Sequence, residues 1–169
     1  MHIICLCTGI GFPNGMAAAK RLMLICRGLV EAGATCTVFH IGGTDFDGNE
    51  AVGSVDGVSY RYLPTTPRRP SSRLGRGIKF LMGIIRAIWL INRSARRQKV
   101  CVYACTGPHL HALKCIKPLK IIECNEWFPE EKKKHMRDKL YPFADAFVAI
   151  SQPIHQNLCN QFKPHVSPF

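Results

Sequence analysis

Short apolar runs alternate with stretches of helical period along this chain, and that alternation narrows the fold more than any other feature. His2–Cys7 is an apolar run closed by Thr8-Gly9 and reads as a buried strand. Met16–Ala32 carries Leu22, Ile25, Leu29 and Val30 at helical spacing, and Gly33 stops it. Thr35–Ile41 is a β-branched run, residues 42–57 are rich in Gly and Asp and read as loop, and Val58–Leu63 alternates as a strand. Three prolines make Pro64–Ser72 an irregular connection. Then come a long basic helix at Leu74–Arg97, a strand at Val100–Cys105, a short helix at His109–Ile116 and a strand at Leu119–Cys124. A charged helix is expected at Glu130–Leu140, a last strand at Ala146–Ile150 and a helix at Gln152–Phe162. No repeat or low-complexity segment interrupts the series.

Strands that alternate with helices predict an α/β fold with a mostly parallel sheet covered on both faces. Right-handed crossovers make it doubly wound and Rossmann-like. Ligands of such sheets sit at the carboxyl ends of the strands, near the reversal of strand order. That rule selects the loop Thr8–Gly15, the turn after Cys105 and the segment after Ile122.

The length, 169 residues, suits one domain with a real core. The net charge of +12 is unevenly placed: residues 61–100 hold 11 basic residues and no acid, and the remainder is nearly balanced. No run of 18 apolar residues exists to span a bilayer. Met1–Thr8 lacks the basic start of a signal peptide. Nine cysteines are an odd number with no CxxC pair, so a reducing, cytoplasmic setting without structural metal is expected. Cys5, Cys7, Cys101 and Cys105 lie in strand-like runs, where thiols act as small hydrophobes.

The loop Thr8-Gly9-Ile10-Gly11-Phe12-Pro13-Asn14-Gly15 joins the first strand to the first helix. Glycines allow close backbone approach, and a helix start offers free N–H groups to an anion. Gly11, Asn14, Gly15 and Lys20 are candidates for holding a phosphate or another acidic group. Asn14 stands where a dinucleotide fingerprint has its third glycine, and strand two ends in His40-Ile41 without a ribose-binding acid. A glycine turn that merely connects strand to helix is the plain alternative.

Ile78–Ile91 is unusually apolar for a surface helix, and Arg73, Arg76, Arg93, Arg96 and Arg97 flank it. One face can pack on the sheet while the rest lies on an anionic membrane surface. A buried crossover helix with a solvated basic end is the rival reading. Nucleic acid is not expected, because no nucleic-acid motif accompanies the charge.

Ile121–Glu131 leaves a buried strand with Glu123, Asn125 and Glu126 at its carboxyl end and Trp127 beside them. Such groups bind sugar hydroxyls and can do acid–base work. Helix capping is the alternative for Glu126 and Glu130. His109 follows Gly107-Pro108 and faces either the cleft or solvent.

Several segments then match a family in order and spacing: the Gly-rich loop with Ala17–Leu22, Gly28–Val38, Thr106-Gly107-Pro108, Ile121–Glu126 and Ala144–Ser151. The chain resembles the N-terminal, acceptor-side domain of retaining glycosyltransferases of GT-B architecture, family 4. The resemblance implies transfer of a sugar from a nucleotide-sugar donor to a glycan or lipid-linked acceptor, as in cell-surface polysaccharide synthesis. It assigns Asn14 and Gly15 to the donor phosphates and implies no cofactor and no metal. Many members carry a histidine after strand five, where this chain has Glu123, Asn125 and Glu126. The family's donor-binding domain lies C-terminal, so residues 1–169 are expected to form one Rossmann-like half, inactive alone, with a cleft lined by Gly11–Gly15, His109 and Glu123–Glu126. A membrane-recruiting subunit of a split transferase and a nucleotide-dependent oxidoreductase are the competing readings.

Overall fold

A computed structural model describes residues 1–64, 66–105, 107–124 and 141–161. Seven strands run β1 (His2–Cys7), β2 (Thr35–His40), β3 (Val52–Val55), β4 (Val58–Tyr62), β5 (Val100–Cys105), β6 (Leu119–Cys124) and β7 (Ala146–Ala149). They form one sheet in the order β3-β4-β2-β1-β5-β6-β7, parallel everywhere except β3 against β4. From β1 the chain winds outward through β2 to β4, then returns to β5 on the other side of β1 and winds outward again. The strand order therefore reverses between β1 and β5, and the fold is the doubly wound, Rossmann-like architecture expected.

The pleat sorts side chains onto two faces. Ile4, Leu6, Val102, Ala104 and Ile122 join one core cluster, to which α2 (Arg73–Ala95), a 3-10 helix at Pro108–Cys115 and α3 (Gln152–Gln161) contribute. Ile3, Cys5, Cys7, Val38 and Tyr103 join the other, under Leu22 and Cys26 of α1 (Ala17–Glu31). Both faces being covered explains why the parallel strands read as apolar runs rather than alternations.

α1 stops because Gly33 takes φ +84, and the N–H groups of Gly33 and Ala34 then close on the carbonyls of Val30 and Leu29 at 2.9 and 3.0 Å. α2 starts at Ser72, whose hydroxyl accepts the Gly75 N–H at 3.1 Å. Its buried positions are Gly83, Ala87 and Ile91, a narrow stripe in which the small Gly83 and Ala87 let the helix sit close to the sheet. A Cβ at Gly83 would lie 3.1 Å from Ile41 Cγ2.

Two details differ from the sequence expectation. Residues 42–57 are not all loop: Val52–Val55 pairs antiparallel with β4 through the two-residue turn Asp56-Gly57. The short helix after β5 is of 3-10 type. The expected helix at Glu130–Leu140 lies outside the described residues.

Candidate functional site at the strand-order reversal

A cleft of about 380 Å³ opens at the carboxyl ends of β1, β5 and β6. It is lined by Cys7, Thr8 and Ile10 after β1, by Arg21 of α1, and by Cys105, His109 and Glu123. The parallel register places Cys105 beside Glu123. Ala17 and Ala18 also line the cleft, and the N-cap Met16 gives its helix no side-chain cap. The N-terminal turn of α1 therefore borders the cleft, and the positive end of a helix dipole there suits an anion.

Glu123 is a buried carboxylate, and a buried charge persists only when paired. Arg21 donates from Nη2 to Glu123 Oε1, and the Cys105 thiol donates to Oε2 at 3.2 Å. Burial and then the Glu123 charge push the Cys105 thiol up, so it stays a protonated donor and not a nucleophile. Burial and the same carboxylate raise the Tyr103 phenol. The pair is asymmetric: Glu123 is enclosed, whereas the Arg21 side chain is 40% exposed. Arg21 thus presents held positive charge to the cleft while Glu123 anchors it.

His109 is 1% exposed, and among the described residues neither ring nitrogen finds a hydrogen-bond partner. Burial lowers its pKa to about 4, opposed by the Cys105 carbonyl and assisted by His40. At neutral pH it is an uncharged imidazole, able to donate or accept a hydrogen bond but a weak base. His40, at the end of β2, is also buried and lowered to about 4 by desolvation, with the Gly42 carbonyl opposing. It stacks on Tyr62 with ring centroids 4.4 Å apart.

The glycine loop is built from the inside. Phe12 is fully buried, and its carbonyl accepts the Tyr62 hydroxyl at 2.7 Å. Asn49 Nδ2 donates to the Gly11 carbonyl at 3.3 Å. Gly11 takes φ +67, and a Cβ there would lie 2.2 Å from the Phe46 ring. A Cβ at Gly15 would lie 1.8 Å from the Ile10 carbonyl oxygen. These glycines are required by packing beneath the loop.

The structure brings His109 and Glu123 together in the cleft. Gly11 and Gly15 are buried under the loop, and Asn14 and Lys20 are exposed; none of the four lines the cleft. Asn125, Glu126 and Trp127 follow β6 but lie outside the described residues. Arg73, Arg76, Arg93, Arg96 and Arg97 are exposed on and just beyond α2, away from the cleft. Sequence reasoning missed Arg21 as the partner of Glu123, and it missed His40. Lys20 and Arg21 each neighbour a buried position of α1, Ala19 and Leu22, so the sequence alone does not tell them apart; only the fold shows that Arg21 is the one that lines the cleft.

A wider hollow of about 740 Å³ lies between residues 44–47, residues 66–71 and the start of α2. Two of its charged groups are engaged: Arg69 pairs with Asp45 at 2.8 Å, and Lys79 donates to Thr66 Oγ1 at 2.8 Å. Buried polar groups converge in the smaller cleft, which is therefore the candidate site.

No family model matches the sequence. No curated protein matches it either. Among solved structures, the fold matches a sucrose-phosphate synthase from Thermosynechococcus elongatus with a TM-score of 0.64 and 8% sequence identity. The match covers 99% of this chain and 46% of that one, so the chain spans about half the length of the protein it resembles. At that identity the likeness establishes the fold alone.

Proposed function

We propose that this chain is the acceptor-side half of a GT-B, family 4-like glycosyltransferase, moving a sugar from a nucleotide-sugar donor to a glycan or lipid-linked acceptor. The observation that carries the reading is a cleft holding Arg21, Glu123 and His109 at the strand-order reversal of a fold that follows 46% of a sucrose-phosphate synthase over 99% of its own length. In this reading the uncharged imidazole of His109 hydrogen-bonds an acceptor hydroxyl. The N–H groups at the start of α1 and the Arg21 guanidinium meet negative charge on the leaving diphosphate. Glu123 positions Arg21. Asn125 and Glu126 continue from β6 as candidates for the transferred sugar, and the exposed Asn14 and Lys20 approach the donor from beside the cleft, on a loop whose shape the buried Gly11 and Gly15 set. A donor-binding half closes over the cleft, excludes water and aligns the acceptor hydroxyl with the anomeric carbon.

The test joins this chain to its donor-binding half and measures transfer of labelled hexose from UDP- and GDP-sugars to lipid and glycan acceptors. His109→Gln and Glu126→Ala are expected to lower turnover while circular dichroism stays unchanged. Full turnover in both variants would remove this wall from the reaction.

A second reading concerns where the protein works, and α2 favours it. Leu74, Ile78, Leu81, Ile85 and Trp89 are all more than half exposed and fall along one side of the helix. Arg93 lies over the Trp89 ring at 5.0 Å. No helix among the described residues is long and apolar enough to cross a membrane. We propose that α2 lies flat on an anionic membrane surface at its cytoplasmic face, its stripe in the headgroup boundary and its arginines among lipid phosphates. Each arginine near such a surface contributes about 1 kcal/mol. Changing Arg73, Arg76, Arg93, Arg96 and Arg97 to Gln should abolish salt-sensitive co-sedimentation with phosphatidylglycerol vesicles. Undiminished binding of that variant, or none by the unmodified chain, removes the proposal.

A further inference from the structure

Three thiols meet on the α1 side of the sheet, apart from the residues that line the cleft. Cys5 Sγ of β1 lies 3.6 Å from Cys26 Sγ of α1 and 3.8 Å from Cys36 Sγ of β2. The three sulfurs all fall within 4.8 Å of one another, and all three residues are buried. They stand 21 and 31 positions from Cys5 in sequence, so no short spacing announces them. The fold assembles them: Cys5 and Cys36 point to the same face of neighbouring strands, and Cys26 comes down from the helix that covers that face.

The spacing matches what one ion would impose. With a bond to sulfur of about 2.3 Å, three ligands stand roughly 4 Å apart around a planar centre, the bond length times the square root of three, and closer around a pyramidal one such as trivalent arsenic. The sulfurs are already near that separation. Structural zinc takes four ligands, whereas this cluster offers three sulfurs among the described residues. Thiolates in turn select soft, thiophilic ions.

Charge narrows the choice. A buried site is costly if it keeps net charge. Three thiolates leave two negative charges around a monovalent ion, one around a divalent ion and none around a trivalent centre. We propose that Cys5, Cys26 and Cys36 form a three-sulfur site for a soft, three-coordinate thiophile, and that trivalent arsenic is its best match. Binding of arsenous acid breaks three As–O and three S–H bonds, forms three As–S bonds and releases three waters. No electron changes hands. The product is neutral, as its surroundings require.

The test uses the full chain with the exposed thiols removed as Cys115→Ala and Cys159→Ala, reduced and kept free of oxygen. Arsenite is added, excess is removed by gel filtration, and bound arsenic is measured by elemental analysis and X-ray absorption. The expected result is one arsenic per chain with three sulfur neighbours, lost when Cys26→Ala is added. Cu(I) and Zn(II) run alongside should be retained less well. No retained arsenic, retention undiminished by Cys26→Ala, or a shell of two sulfurs would each overturn the proposal. If Cys26→Ala fails to fold, the sulfur count on the parent chain decides the matter alone.

Discussion

Acidification from about pH 8 to about pH 5 should destabilise this protein through two buried imidazoles. His40 and His109 are each 1% exposed, and desolvation lowers both from 6.5 to about 4. Between those values the unfolded chain binds protons that the folded chain refuses. Stability from this source is therefore complete above about pH 6.5 and falls as pH drops toward 4. At about pH 5 each histidine accounts for a loss of about 2 kcal/mol, so the pair accounts for about 4 kcal/mol. That is a large share of the roughly 5–15 kcal/mol that holds a domain folded. Urea midpoints across the pH series measure the slope, and ring-carbon NMR shifts identify the imidazoles responsible. His40→Gln and His109→Gln should each remove about half of the extra acid sensitivity. The reasoning fails if either imidazole titrates near 6.5 in the folded protein, or if both variants keep the parent's pH slope.

Three further outcomes rest on single contacts. Gly15→Ala forces a methyl group against the Ile10 carbonyl oxygen at 1.8 Å, and the loop shift should cost about 1–3 kcal/mol in thermal unfolding. Tyr62→Phe leaves the buried Phe12 carbonyl without its 2.7 Å donor and should lower the urea midpoint by an amount equivalent to about 1–3 kcal/mol. Glu123→Gln removes the charge that anchors Arg21. Because the Arg21 side chain is 40% exposed and water screens it, the loss should be about 1–2 kcal/mol, below the usual figure for a fully buried pair, and insensitive to moderate salt.

The parallel strands were legible because each is buried on both faces, and a run such as Val100–Cys105 has few other ways to hide its side chains. β3 was not legible from its own residues. Val52-Gly53-Ser54-Val55 is an exposed edge with a glycine inside it, so neither apolar density nor alternation marks it. The available signal was the turn, Asp56-Gly57, which sits between β3 and β4 with φ values of +51 and +77. In the cleft, Glu123 stood out as an acid within an apolar strand. His109 was ambiguous, because a histidine beside Gly-Pro looks the same in sequence whether it turns inward or outward. The Arg21–Glu123 contact spans 102 positions, and only the finished fold brings the two side chains together. Gly11 and Gly15 invited a ligand reading because close backbone approach and close side-chain packing demand the same residue type.

The β3–β4 hairpin also bears on the order in which this chain acquires its shape. Among the described strands it is the one pair joined by a two-residue turn, and Asp56-Gly57 already favours the primed geometry that the twist needs. Such a ribbon zips in about 1–10 μs, whereas every parallel pairing waits for an intervening stretch of chain to close. This edge of the sheet, largely exposed at β3, is thus the piece that can assemble first, offering β4 as a ready-made rail for β2.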